Sequence, residues 1–188
     1  KRPFFTEGAG FFQTPENLFF SRHVVDPQFG MRMTGKAGRW ALGLLTVDDR
    51  APGQSDPELG DRAKIGVLRV QREMATESTV GFFFSRRTFG PTSNQIVSLD
   101  TRWKLNANWV FTGQAAHSST RDLNRNRTSG NDFFAEIRRT GLHANTYTQY
   151  LDRSPDFQSD LGFIPRVDIR QLKNVTGYQW RPESGSLV

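Results

Sequence analysis

Three histidines, His23, His117 and His143, are the side chains in this sequence best suited to bind a transition metal. Protein zinc sites usually take two ligands from closely spaced positions on one element. These histidines lie far apart, so a shared site would require three separate segments to converge. The chain also has no cysteine, which removes thiolate ligands. We therefore predict no metal site and no cofactor.

Hydrolysis of a glycosidic bond would need two carboxyl groups facing each other about 5–10 Å apart. The candidate acids are Glu7, Asp156 and Asp160. Their basic neighbours are Arg2, Arg153 and Arg166. These neighbours favour ion pairs that tie the amino-terminal stretch or a long loop to the rest of the fold. Since the sequence also lacks a GxSxG motif and nucleotide-binding glycine loops, we predict that the chain is not an enzyme.

A larger group of polar side chains occupies alternate positions of several strand-like stretches. In the stretch 95–105, Val97 and Leu99 alternate with polar residues, and the stretches 109–118 and 132–139 have the same period of two. This pattern is typical of strands with one apolar and one polar face. If the apolar face meets lipid, the polar face lines a barrel interior. Its side chains then either pair with one another in a closed polar network or line a path for a solute. The lumen-lining candidates are Asp100, Arg102, Lys104, Thr112, Gln114, Glu136 and Arg138.

These residues need a series of strands to position them. Nine stretches have strand-like composition: 30–36, 39–47, 63–71, 79–86, 95–105, 109–118, 132–139, 142–151 and from 166 onward. The connections between them alternate between tight turns and longer loops, as at the two rims of an outer-membrane barrel. The sequence therefore predicts an all-β fold, an antiparallel meander forming an outer-membrane-type β-barrel over residues 30–188. Because bacterial single-chain barrels usually have an even number of strands, we expect this to be part of a larger barrel.

An amino-terminal segment, residues 1–29, precedes the first predicted strand and contains three Phe-Phe pairs. A strand would place the two rings of each pair on opposite faces. We predict instead that this stretch leads into or plugs the barrel, with its rings against the inner wall and with Arg2 and Glu7 holding it. The sequence contains no apolar run of about 18 residues that could cross a membrane as a helix.

Aromatic residues fall near the ends of several predicted strands. Such rings favour the level of the lipid headgroups and form girdles around membrane barrels. In a soluble β-sandwich, the alternative fold, tryptophans such as Trp40, Trp103 and Trp109 would instead stack on sugar rings. The candidates for the girdle or for sugar stacking are Trp40, Trp103, Trp109, Tyr147, Tyr150 and Trp180.

The net charge of +6 and the sequence pI of about 10.2 raise nucleic acid as a partner. The basic residues are scattered as single arginines or pairs and form no block, which disfavours this, so we predict no nucleic-acid partner. Basic residues in the stretch 122–132 either face water or contact lipopolysaccharide phosphates. The pattern does not indicate an oligomeric state.

Four segments carry a resemblance to a known family: "KRPFFTEGAGFF", "LFFSRHV", "MTGKAGRWALGLL" and "SPDFQSDLGFIPRVDIR". They resemble a family of bacterial proteins of unknown function, in which a domain like the family-nine carbohydrate-binding modules precedes a C-terminal outer-membrane barrel. The resemblance covers the barrel region and implies a location in the bacterial outer membrane, with membrane lipid as a partner and carbohydrate bound through the preceding domain. It implies no reaction.

The function expected from these observations is a non-enzymatic barrel region of a cell-envelope protein, which anchors a carbohydrate-binding domain or acts as its conduit. The alternative is a soluble β-sandwich carbohydrate-binding module or an accessory region of a glycoside hydrolase.

Overall fold

The computed structural model describes residues 9–58, 60 and 62–180. Within these residues nine strands form one antiparallel sheet in the order of the sequence, with β1 and β9 at its two ends. This confirms the predicted all-β meander. The strands are β1 (Pro27–Ala37), β2 (Trp40–Asp49), β3 (Ala63–Ala75), β4 (Ser78–Phe89), β5 (Thr92–Lys104), β6 (Trp109–Arg121), β7 (Arg127–Arg139), β8 (Ala144–Arg153) and β9 (Ile169–Tyr178). A short helix, α1 (Ala51–Ser55), follows β2, and two 3₁₀ turns (Ala9–Phe12 and Ser21–His23) precede β1.

Most strands are longer than predicted, and this shortens two of the connections. Strands β4 and β5 are joined by only Gly90 and Pro91, and β6 and β7 by residues 122–126. The prediction of longer loops at these two places is wrong. The polar residues there continue the ladder, as in the pairing of Thr120 with Thr128, because ladder hydrogen bonds use the backbone and do not require apolar side chains.

The connections form two groups at opposite ends of the strands. We call one end the turn rim; its connections are 38–39, 76–77, 105–108 and 140–143. We call the other end the loop rim; its connections are 50–62, 90–91, 122–126 and 154–168. The last of these, which we call the β8–β9 loop, has no strand of its own and returns over the sheet.

One face of the sheet is covered by residues 9–26, which we call the docked segment. Phe12, Leu18 and Val24 of this segment are buried in the main hydrophobic cluster. We call the face that they cover the inner face and the opposite one the outer face. Burying each such side chain is worth about 1.5–3 kcal/mol. The strands and the β8–β9 loop contribute Leu45, Val47, Ile65, Val67, Phe83, Ile96, Ala116, Phe157 and Leu161 to the same cluster.

The docked segment and the β8–β9 loop hold each other by backbone hydrogen bonds. The amide of Phe20 donates to Leu161 (2.6 Å), and the amide of Phe163 donates to Asn17 (2.8 Å). At the end of the docked segment, the backbone amides of residues 25 and 26 donate to the buried carboxylate of Asp49 on β2, at 2.9 and 2.8 Å. These bonds satisfy backbone groups that would otherwise be buried without partners.

The contacts of the docked segment indicate that the sheet curves around it. Phe12 lies against Gly43 of β2, whereas Glu16 contacts Gln114 of β6 and Arg153 of β8. In a flat sheet with about 4.8 Å between strands, β2 and β8 would lie about 29 Å apart. The five residues 12–16 contact both β2 and β8, because the sheet bends toward the docked segment.

Candidate functional site on the two faces of the sheet

The seven predicted lumen-lining residues all lie on the inner face. Asp100 pairs with Gln114 across β5 and β6, and Arg102 pairs with Thr112. Thr112 pairs in turn with Glu136 on β7. Directly opposed residues share a face of a sheet, so these side chains lie beside one another.

The register extends this group into a polar row across seven strands. One level of the inner face carries a polar side chain on every strand from β3 to β9, and acidic and basic residues alternate along it. In order, the row is Glu73, Thr79, Arg102, Thr112, Glu136, Gln149 and Lys173. Four members of the row were not predicted, because only the strand register shows that they share this level: Glu73, Thr79, Gln149 and Lys173.

Asp100 is buried, and its charge is neutralised within the sheet. Both carboxylate oxygens accept from the guanidinium of Arg69 on β3, with Nη2 at 2.8 Å from Oδ1. The intervening strand β4 carries Gly81 at this level, where a Cβ atom would collide with that guanidinium. This pair is therefore a structural element, and Asp100 is not open to a solute.

Gln114 is also closed off. Its Oε1 accepts from the backbone amide of Glu16 at 2.9 Å, so the docked segment lies over it. The carboxylate of Glu16 then binds Arg153 of β8, which also binds Asp132 of β7, with Nε at 3.0 Å from Oδ1. Arg153 is 2% exposed, and its Nη1 donates to the backbone oxygen of Arg166 (2.8 Å).

The remaining predicted residues lie nearer the turn rim and are more accessible. Lys104 forms an ion pair with Glu77 of the β3–β4 turn. The hydrogen bond from Lys104, helped by its positive charge, holds the pKa of the Glu77 carboxyl below its usual value. Glu136 forms an ion pair with Arg138 (3.0 Å). The inner face is therefore filled near the loop rim and polar near the turn rim.

Tyr147 also belongs to the inner face. It pairs directly with Arg138 across β7 and β8, and the guanidinium of Arg138 lies 5.3 Å from the centre of its ring. The ammonium of Lys173 lies 5.5 Å from the same ring, so the ring has two cationic neighbours. The prediction that Tyr147 belongs to an outer aromatic girdle does not fit this position, because the register gives it the face of Arg138.

The outer face exposes large apolar side chains along the sheet. Phe29 on β1 is 70% exposed, Leu99 on β5 is 59% exposed and Leu172 on β9 is 72% exposed. Val80 and Phe133, on β4 and β7, are also exposed. Single exposed apolar residues are ordinary, but a sheet face that exposes large apolar side chains on eight of its nine strands is not.

All four tryptophans of the chain lie at the turn rim. Trp40 and Trp109 begin β2 and β6, and Trp103 lies one residue before the end of β5. Trp180 follows β9 by two residues and is 77% exposed. Of the two predicted girdle tyrosines, Tyr150 lies on the outer face, since it opposes Ala135.

The candidate metal-binding histidines do not come together. Each histidine bonds through Nδ1 to a different partner. That of His23 is the backbone oxygen of Asp160, that of His117 is the side chain of residue 131, and that of His143 is the backbone oxygen of residue 179. Among the described residues no three metal-binding side chains converge.

The carboxylate of Asp160 binds Arg87 (3.3 Å), and Asp156 is exposed. Arg153, one of the predicted basic partners, binds Glu16 and Asp132 in place of Asp156 or Asp160. Glu7 and Arg2, which were predicted to hold the amino-terminal stretch, lie outside the described residues.

No family model, curated protein or solved structure matches this chain. The family resemblance therefore remains a prediction. No helix in the described part of the chain is long and apolar enough to cross a membrane.

Proposed function

We propose that this chain is the barrel region of a bacterial outer-membrane protein and has no enzymatic activity of its own. The observation that carries the proposal is the contrast between the two faces of the sheet. The outer face exposes large apolar side chains on strands from β1 to β9, whereas the inner face carries the docked segment and the polar row. Lipid would cover the outer face, and the inner face would keep its polar groups away from lipid.

The position of the tryptophans supports the same proposal. Four amphipathic rings near one rim are expected where strands leave the hydrocarbon and enter the headgroup layer. A charged neighbour of one ring fits the headgroup layer, since the guanidinium of Arg72 lies 5.1 Å from the ring centre of Trp40. The turn rim would then lie at one membrane surface.

Within this proposal the chain anchors a carbohydrate-binding domain, as the family resemblance implies. We favour an anchor over an open conduit, because the docked segment and the β8–β9 loop occupy the inner face near the loop rim. A solute could reach the polar row from the turn rim but would meet the docked segment beyond it. The order of the nine strands within one sheet also favours a barrel over a sandwich, whose strands divide between two sheets.

The test is electrophoresis in SDS of the natively extracted, detergent-solubilised protein, with and without boiling. A closed membrane barrel keeps its fold in SDS until it is heated, so the unboiled band should migrate at a different position from the boiled one. A single position in both lanes, together with release of the protein without detergent, would contradict the proposal and favour the soluble sugar-binding sandwich.

A further inference from the structure

A cavity of about 700 Å³ opens at the loop rim, away from the polar row. Four separate parts of the chain line it: the second 3₁₀ turn of the docked segment, the β4–β5 hairpin, the end of β6 with its turn, and the β8–β9 loop. This volume lies within the range of about 300–1,000 Å³ that is typical of small-molecule sites. A cavity built from four segments needs the whole fold to form.

Three arginines and two acids line this cavity, which we call the rim cavity: Arg22, Arg87, Arg121, Asp122 and Asp160. Both acids are already engaged. Asp160 binds Arg87 (3.3 Å) and accepts from the side chain of residue 158 (2.8 Å). Asp122 accepts from the backbone and side-chain amides of residue 126, at 2.8 and 3.3 Å, within its own turn.

Two positive charges are therefore left without a carboxylate partner. Among the described residues neither Arg22 nor Arg121 forms an ion pair. Arg121 is partly exposed and is the last residue of β6, where it opposes Ser93 in the register of the outer face. It lines the rim cavity from the end of the strands, whereas Arg22 lines it from the docked segment. Arg22 rests over the ring of Phe20, 5.8 Å from its centre, which leaves the edge of its guanidinium free to donate.

The rest of the lining can bind hydroxyl groups. Ser93 and Gln158 line the rim cavity; the Nε2 of Gln158 donates to Asp160, so its Oε1 is the atom left to accept from a ligand hydroxyl. His23 also lines the rim cavity, and its Nδ1 must donate to the backbone oxygen of Asp160 (2.9 Å), because a carbonyl can only accept. The other ring nitrogen of His23, Nε2, is left to bond to a ligand hydroxyl.

We propose that the rim cavity binds a small anionic sugar derivative, whose carboxylate or phosphate is received by Arg22 and Arg121. Charge-assisted hydrogen bonds from guanidinium groups to such anions are short and strong. The hydroxyl groups of the ligand contact Ser93, Gln158 and His23. This site is distinct from the polar row and does not depend on the proposed membrane location.

The test measures binding of glucose 6-phosphate, glucuronate and glucose to the purified folded protein by calorimetry. We expect at least one of the two anionic sugars to bind about tenfold or more tightly than glucose. Equal binding of the neutral sugar, or no binding of any probe, would overturn the proposal. Preference for the phosphate or for the carboxylate identifies the anionic group.

Substitutions then test the two arginines. Arg121→Gln and Arg22→Gln should each weaken binding of the preferred anion about tenfold. Arg125→Gln is the matched control, because Arg125 is exposed in the same β6–β7 turn but does not line the rim cavity. An equal loss in the control would show a general effect of net charge and would refute the site. Circular dichroism checks that each variant is folded.

A last comparison distinguishes a soluble ligand from a lipid-linked one. Detergent-dispersed lipopolysaccharide carries phosphate on a sugar and serves as the lipid-linked probe. If Arg121→Gln weakens its binding and it binds more tightly than glucose 6-phosphate, the ligand is lipid-linked. If glucose 6-phosphate binds as tightly or more tightly, the ligand is soluble.

Discussion

Arg153 on strand β8 forms an ion pair with Glu16 of the docked segment, a residue 137 positions earlier in the sequence. The same guanidinium binds Asp132 on β7 and the backbone oxygen of Arg166 in the β8–β9 loop. One buried side chain therefore joins two strands, the docked segment and the loop. The cost of burying its charge is offset by two carboxylates.

We expect Glu16→Gln to loosen the docked segment without unfolding the sheet. The substitution keeps the backbone bond from residue 16 to Gln114 but removes a charged partner of Arg153, which is worth about 1–3 kcal/mol. Hydrogen exchange of the amides of residues 17–24 should become faster by a corresponding factor. Glu73→Gln is the control, because Glu73 is an exposed acid on the inner face. Faster exchange in both variants would argue against the ion pair as the cause.

Gly130→Ala should displace the β8–β9 loop. A Cβ atom at Gly130 would collide with the backbone of Phe157, and a backbone cannot move aside as a flexible side chain can. We expect a loss of about 1–3 kcal/mol in the free energy of unfolding, measured by urea denaturation. The control is Gly66→Ala on the outer face of β3, where a Cβ atom meets nothing within 4 Å. If both variants are equally stable, the β8–β9 loop does not pack against Gly130 as described.

The buried pair of Arg69 and Asp100 should respond differently to single and double substitution. Asp100→Ala leaves an uncompensated buried charge and should cost about 3–5 kcal/mol of unfolding free energy. The double variant Arg69→Met with Asp100→Leu should recover most of this loss. Arg170→Ala, which removes an exposed ion pair with Asp152, should leave the unfolding free energy nearly unchanged, because water screens such a pair. A double variant as unstable as the single one would contradict this account.

A lysine on the outer face should have an effect that depends on its depth in the membrane. Leu99 lies near the middle of β5, and Gln95, on the same face, lies nearer the loop rim. Leu99→Lys should cost about 2–4 kcal/mol of folding free energy in lipid vesicles, and Gln95→Lys about 0–1 kcal/mol. The folded fraction is measured from the unboiled band in SDS. Equal effects at the two positions would oppose a lipid-facing outer surface.

The tryptophans should report a single depth in the bilayer. Because all four lie at the turn rim, lipids brominated near the headgroup end of the acyl chain should quench their fluorescence more than lipids brominated near the terminal methyl group. The reverse order would mean that the turn rim lies inside the hydrocarbon. An absence of quenching in vesicles that retain the protein would place the rim outside the bilayer.

The sequence by itself determined that nine strands exist. It also determined the two faces of those strands in which apolar and polar residues alternate regularly. The alternation in 95–105 assigns Val97 and Leu99 to one face and Asp100 to the other, because successive side chains of any strand point to opposite sides. Such a period is a local property of the chain. Strand ends were less accurate, as at Arg121 and Arg127, since polar residues there pair through their backbones.

Only the tertiary structure decided which residues meet. Tyr147 has no local signal that distinguishes the inner face from the outer one, and its pairing with Arg138 assigns it. The ion pair between Glu16 and Arg153 likewise has no trace in the spacing of either residue. Register and docking depend on contacts between segments distant in sequence. The polar row therefore forms only when the strands pair in this register, and the rim cavity only when the docked segment and the β8–β9 loop lie against the sheet.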